Sequence, residues 1–84
     1  MEEKLNELKG IIEKKLRKDN IIVCSVTFFK ENNYNTLQVE LDKVNGIDLD
    51  TIVMASNKID KIVDEFDITE ESYILDVISK EKGD

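Results

Sequence analysis

The chain has 84 residues and a net charge of −7, with 40% hydrophobic residues, 37% charged residues, no histidine and one cysteine. This length predicts one domain with one core, and the single cysteine excludes an intrachain disulfide. No apolar run approaches the roughly 20 residues that cross a bilayer, and the charged start Met1-Glu2-Glu3-Lys4 lacks a signal-peptide core, so we expect a cytoplasmic protein without membrane contact.

The first half of the chain predicts a helix followed by two strands. Apolar residues recur at helical spacing from Glu3 to Arg17, and Asn20 suits the left-handed turn that ends such a helix. The β-branched and aromatic run from Ile21 to Phe29 predicts a strand. A turn over 31–33 and a second alternating run from Tyr34 to Leu41 complete a hairpin.

The second half predicts a helix and a third strand. Asn45-Gly46 is a turn signal, and Asp48 is the expected N-cap of a helix that continues to Glu65. A strand is predicted from Glu71 to Ser79, followed by a polar tail at 80–84. The order α-β-β-α-β indicates an α+β, two-layer domain with two helices on one face of a three-stranded antiparallel sheet. We expect the third strand beside the first.

Alternation assigns a direction to each strand residue. If Ile22, Cys24, Val26 and Phe28 face the helices, the opposite face of the sheet carries several apolar side chains that a solvated face would lack. We therefore predict a contact face for a partner, a second domain or a twin chain. The residues are Val23, Phe29, Ile74 and Ile78. Ordinary strand propensity with partial exposure is the alternative.

Acidic side chains are concentrated in the second half, because residues 40–72 contain ten acidic residues against three basic ones. Such a surface repels phosphate backbones and favours a basic partner, although a merely solubilising face is the alternative. The sequence therefore predicts no direct DNA binding and at most weak RNA contact from the lysines of the first helix. The candidate partner-binding residues are Asp42, Asp48, Asp50, Asp60, Asp64 and Glu65.

No catalytic, metal or cofactor site is predicted. Cys24 has no histidine to activate it and fits a buried small side chain. The segment around Gly46 fails as a calcium loop, because Leu41 and Lys43 would occupy the first and third ligand positions. Exposed carboxylates without a pocket or a companion nucleophile do not make a general acid–base pair. We therefore expect a protein that is not an enzyme.

The ordered set of motifs resembles the amino-terminal domain of the ribosome maturation factor RimP family. In that family a Val-x-Val-x-Phe strand is followed by a strand ending in hydrophobic-Asp, by Gly-Ile/Val-x-Leu-Asp and by a Tyr-x-Leu-x-Val strand. The residues here that match are Cys24, Val26, Phe28, Leu37, Val39, Leu41, Asp42, Gly46-Ile47-Asp48-Leu49-Asp50, Tyr73, Leu75, Val77 and Ser79. The family's Ser-Ser-Pro-Gly is replaced by Ile78-Ser79-Lys80-Glu81.

The resemblance implies a non-enzymatic factor for maturation of the small ribosomal subunit, acting by binding a ribosomal component such as a basic ribosomal protein. It implies a RimP-like amino-terminal domain over 1–79, and the second, barrel-like domain of the family is absent from this sequence. The alternative is a self-associating or scaffold module that uses the outward sheet face and has no ribosomal role. A monomer or a weak dimer is consistent with both.

Overall fold

The structure, a computed structural model, describes residues 1–80. Within them it contains helix α1 (Glu2–Leu16), strand β1 (Ile21–Glu31), strand β2 (Tyr34–Lys43), helix α2 (Leu49–Phe66) and strand β3 (Ile74–Ser79). The predicted order of elements and the α+β class are confirmed. The polar tail predicted at 80–84 lies, apart from Lys80, outside the described residues.

The turns form where short polar residues adopt left-handed backbone conformations. Asn20 has a φ of 61° and closes the 3₁₀ turn Arg17–Asp19 that follows α1. Asn32 and Asn33, with φ of 52° and 71°, form the two-residue hairpin turn between β1 and β2. Two consecutive positive φ values suit the right-handed twist of the strands that they join. This hairpin was predicted correctly.

Helix α2 begins at its predicted cap. The Asp48 carboxylate accepts a hydrogen bond from the Thr51 N–H at 2.8 Å, which satisfies one of the free donors of the first turn. The helix ends where Asp67 takes the left-handed conformation, with its N–H donating to the Val63 carbonyl.

The sheet is mixed, so the prediction of an all-antiparallel sheet was wrong. The strand order is β1-β2-β3: β1 and β2 are antiparallel, whereas β2 and β3 are parallel neighbours. Helix α1 packs on β1, and α2 packs beside α1 on the β3 side. Because α1 already covers β1, the crossover through α2 delivers β3 next to β2 instead of next to β1. The result is a βαβ unit extended by a hairpin.

A register shift in β1 overturns part of the predicted facing. Val23 pairs with Leu41 and Ser25 pairs with Glu40, so one additional residue, Cys24, is inserted into β1. Val23 is consequently 4% exposed in the core, and Ile22 is 48% exposed. Simple alternation assigned Ile22 and Val23 to the wrong faces of the sheet, because an inserted residue changes the face that every earlier residue of the strand occupies.

The core lies between the two helices and the sheet, with β2 at its centre. The inward residues of β2 are fully buried because this strand has a neighbour on each side and helices above it. The edge strand β3 contributes Leu75 and Val77, which are half-buried. The buried core residues are Leu8, Ile12, Leu16, Ile21, Val23, Val26, Leu37, Val39, Leu41, Ala55, Ile59, Val63 and Ile68.

Candidate interaction surfaces

The predicted partner-binding carboxylates do not form one cluster. Asp60 and Asp64 lie one helical turn apart on the flank of α2 that faces β3. Glu65 lies on the opposite flank, in a groove shared with α1. Asp48 and Asp50 stand at the beginning of α2, far along the helix from the other three. These residues are close in sequence, but the fold places them on separate surfaces of the domain.

Asp60 and Asp64 of α2 and Asp67 at its C-cap are exposed, and we call these three residues the acidic strip. Asp60 and Asp64 line a shallow depression of about 290 Å³ with Tyr73 and Leu75 of the β3 side. Burial first, and then the charges of Asp64, Asp67 and Asp60, raise the pKa of the Tyr73 phenol. All three carboxylates are therefore near one ring, and they supply a local negative field beside an aromatic side chain.

The two carboxylates nearest the start of α2 have local structural roles. Hydrogen bonds from the Thr51 side chain and then from its backbone N–H hold the pKa of Asp48 below its ordinary value. Asp50 is exposed in the first turn, where a negative charge complements the helix dipole. Asp42, at the end of β2, accepts a hydrogen bond from the Lys43 N–H at 2.8 Å.

The sheet face away from the helices, which we call the outer face, combines carboxylates with apolar side chains. Its cross-strand rows are Phe29–Thr36–Ile74, Thr27–Gln38–Asp76 and Ser25–Glu40–Ile78. The Gln38 amide donates to Asp76 at 3.2 Å, and the Ser25 hydroxyl donates to Glu40 at 3.4 Å.

The structure places three of the four residues of the predicted contact face on the outer face. Phe29, Ile74 and Ile78 lie on the outer face, with Ile74 half exposed, but Val23 is in the core and Ile22 takes its place. Placing Val23 on this face was wrong, for the register reason given above. The outer face is therefore apolar only toward the ends of its two edge strands, with Ser25 and Thr27 between the apolar residues of β1 and Asp76 between those of β3, and it is polar along β2.

A third surface was anticipated only in part, through the weak RNA contact expected from the lysines of the first helix. Helices α1 and α2 border an open groove of about 650 Å³ whose lining is dominated by lysine, with Glu65 as an acidic member. The sequence carried a signal in the spacing of four between Lys14 on α1 and Lys18 in the 3₁₀ turn that follows it. The contribution of Lys58 and Lys61 from α2 was not visible, because only the packing of the two helices brings these residues to the same groove.

The described residues contain no arrangement of three or more His, Cys, Asp or Glu side chains that could hold a metal ion. Over residues 1–80, neither helix combines the length and the apolar character needed to cross a membrane.

The family model of the RimP N-terminal domain matches residues 11–80 of the chain. The match runs from the second half of α1 through β3 and thus includes the entire sheet and α2. The chain belongs to the RimP N-terminal domain family. In general terms, the RimP family comprises ribosome maturation factors without enzymatic activity. The acidic strip, the outer face and the lysine-rich groove are therefore surfaces of a RimP-type domain, and each is a candidate for contact with a ribosomal component.

Proposed function

We propose that this RimP-type domain acts in maturation of the small ribosomal subunit by binding a ribosomal component, without catalysing a reaction. The observation that carries the proposal is the family match over residues 11–80, because it covers nearly every element of the fold. In this proposal the factor works in the cytoplasm, as its family suggests. Residues 1–79 form its amino-terminal domain, and the outer face is the surface on which the barrel-like second domain of the family packs.

The acidic strip is the proposed site for a basic ribosomal protein. Asp60 and Asp64 are exposed, and they lie on the same flank of α2 as Asp67, so their fields add in the solvent around Tyr73. Complementary charge of this kind accelerates encounter with a basic partner and contributes less to the lifetime of the complex. The remaining predicted carboxylates, Asp42, Asp48, Asp50 and Glu65, act in the proposal as a more distant negative field.

The test is the association rate with isolated small ribosomal subunits as a function of salt. The double variant Asp60→Lys/Asp64→Lys should associate about tenfold more slowly at low salt, and its rate should depend less on ionic strength. Glu7→Lys/Glu31→Lys is the matched control, because it changes the net charge equally at exposed positions away from the strip. An equal loss in both variants, or no loss in either, contradicts the assignment to the strip.

A second candidate function is self-association through the outer face. The observation that favours it is the exposure of Ile22 at 48% and of Ile74 at 50%, with Phe29 and Ile78 half-buried on the same face. Two copies that pair through this face should show a molar mass that rises with concentration in sedimentation velocity. Ile74→Ser should abolish the rise, and Leu49→Ser, at a residue that is 75% exposed on α2, should not.

A mass that stays monomeric across the series rejects self-association and leaves the ribosomal proposal unaffected. A rise that both serine variants retain assigns the dimer contact to a different surface.

A further inference from the structure

The groove between α1 and α2 has a charge opposite to that of the protein as a whole. It is lined by lysines from both helices, with Ile11 and Ile62 as its apolar members, in a chain whose net charge is −7. We call it the lysine groove. The lysines of its lining are Lys14, Lys15, Lys18, Lys58 and Lys61.

One of these lysines is already committed to the fold. The Lys58 ammonium lies 2.7 Å from an Asp19 carboxylate oxygen and joins α2 to the 3₁₀ turn that follows α1. This hydrogen bond is the main reason that the pKa of Asp19 is lowered, and the charge of Lys18 adds to the effect. Within residues 1–80, no ion pair engages Lys14, Lys15 or Lys61. The groove therefore retains several positive charges that face an open space.

We propose that the lysine groove binds the phosphate backbone of a single-stranded segment of RNA. This inference deepens the proposed function, since it assigns one of the ribosomal components that the domain contacts. A positively charged groove that follows the backbone is a common element of single-strand binding sites, in which aromatic side chains commonly stack on the bases. Here Ile11, which is 40% exposed, and Ile62 supply aliphatic surface between the lysines in place of aromatic rings.

The distribution of charge around α2 explains why RNA would bind in this groove and not at the acidic strip. Lys61 points to the α1 side of the helix, and Asp60 and Asp64 lie on the β3 side. Phosphates are repelled by the acidic strip and attracted on the other flank, so the two flanks orient the domain between an anionic and a cationic partner. An acidic peptide would satisfy the lysines as well, but a ribosome maturation factor meets RNA as its principal polyanion.

The test measures binding of a fluorescein-labelled single-stranded RNA of about 12 nucleotides by anisotropy, over roughly 50 to 200 mM salt. The triple variant Lys14→Gln/Lys18→Gln/Lys61→Gln removes three groove charges and leaves the Lys58–Asp19 pair in place. The matched control is Lys4→Gln/Lys30→Gln/Lys80→Gln, which removes three exposed charges outside the groove. Circular dichroism checks that both variants are folded.

The groove variant should bind RNA at least about tenfold more weakly. The slope of log K against log salt is negative, and its magnitude should decrease by about 2, because each of the three lost phosphate contacts contributes about 0.7. The control should keep the binding constant and slope of the unaltered chain. An equal loss in both variants would show unspecific charge attraction and overturn the proposal. Binding of an oligoglutamate peptide without binding of RNA would overturn it too.

The two proposals fail in different ways. If the groove variant still associates with small subunits and still binds RNA like the unaltered chain, the groove assignment is wrong and the proposed function stands. If the unaltered chain binds RNA through the groove but is not retained by small subunits, the proposed function is wrong and the groove stands.

Discussion

Truncation of Val23 and of its neighbour Ile22 should destabilise the domain to very different extents. Val23→Ala removes two carbon atoms from a side chain that is 4% exposed, which costs about 1.6 kcal/mol in transfer free energy. The small cavity left beneath the helices adds about 1 kcal/mol. Ile22→Ala removes three carbon atoms, but the side chain is 48% exposed, so the expected cost is about 1 kcal/mol or less.

The measurement is urea unfolding followed by circular dichroism, with the midpoint and the slope fitted for each variant. For a domain of this size, the expected difference of about 1.5 kcal/mol corresponds to a Tm difference of about 6–12 °C, with Val23→Ala melting at the lower temperature. The slopes should match, since neither change alters the surface exposed on unfolding. Equal losses, or a larger loss for Ile22→Ala, would refute the register shift at Cys24 and restore the simple alternation of β1.

Three further predictions concern turns, caps and the acidic strip. Gly46→Ala should destabilise the domain by about 1 kcal/mol, because Gly46 has a φ of 94°. Gly10→Ala should stabilise the domain by up to about 1 kcal/mol, because alanine favours a helix and an added Cβ meets no atom within 4 Å. The midpoints of urea unfolding measure both changes. Folding lowers the pKa of Asp48, so the stability that this carboxylate contributes is complete above the unfolded pKa near 3.8 and is lost as the pH falls through the lower folded pKa. Asp48→Ala should therefore make Tm depend less on pH on the acid side of a Tm-versus-pH curve. A curve that Asp48→Ala leaves unchanged would contradict a stabilising role of the cap. Asp64→Asn should reduce the upward shift of the Tyr73 pKa without abolishing it, since burial is the larger cause. Ultraviolet titration of the phenol in a Tyr34→Phe background measures this pKa. An unchanged pKa would show that the charge of the acidic strip does not act on the Tyr73 ring.

Local rules were sufficient to predict most of the secondary structure. Asn20 and the pair Asn32–Asn33 occupy positive φ values that few other residues tolerate, and Asp48 caps the helix that it precedes. These features depend on residues within a few positions of each other. Turn and cap residues together with periodicity therefore predict most element boundaries, although β3 begins at Ile74 and not at the predicted Glu71.

The errors concern relations between distant parts of the chain. The residue inserted at Cys24 carries no glycine or proline signal that marks it in the sequence, and it exchanges the facing of Ile22 and Val23. The position of β3 beside β2 depends on the space that α1 occupies above β1.

The contribution of α2 to the lysine groove was missed for the same reason. It requires Lys61 of α2 to lie across from Lys14 of α1, a juxtaposition that helix packing alone creates. The acidic residues, conversely, form one group in sequence because ten of them fall within residues 40–72, yet folding places those of α2 on two flanks and at one end of the helix and places Glu40 and Asp42 on β2.

Co-sedimentation of the folded chain with free small ribosomal subunits and with assembled ribosomes, at low and at moderate salt, tests the central claim most directly. We expect salt-sensitive retention on free small subunits and little retention on assembled ribosomes, because a maturation factor must leave before assembly is complete. Equal retention on both, or no retention on free small subunits at low salt, would contradict a role of this domain in binding the maturing small subunit.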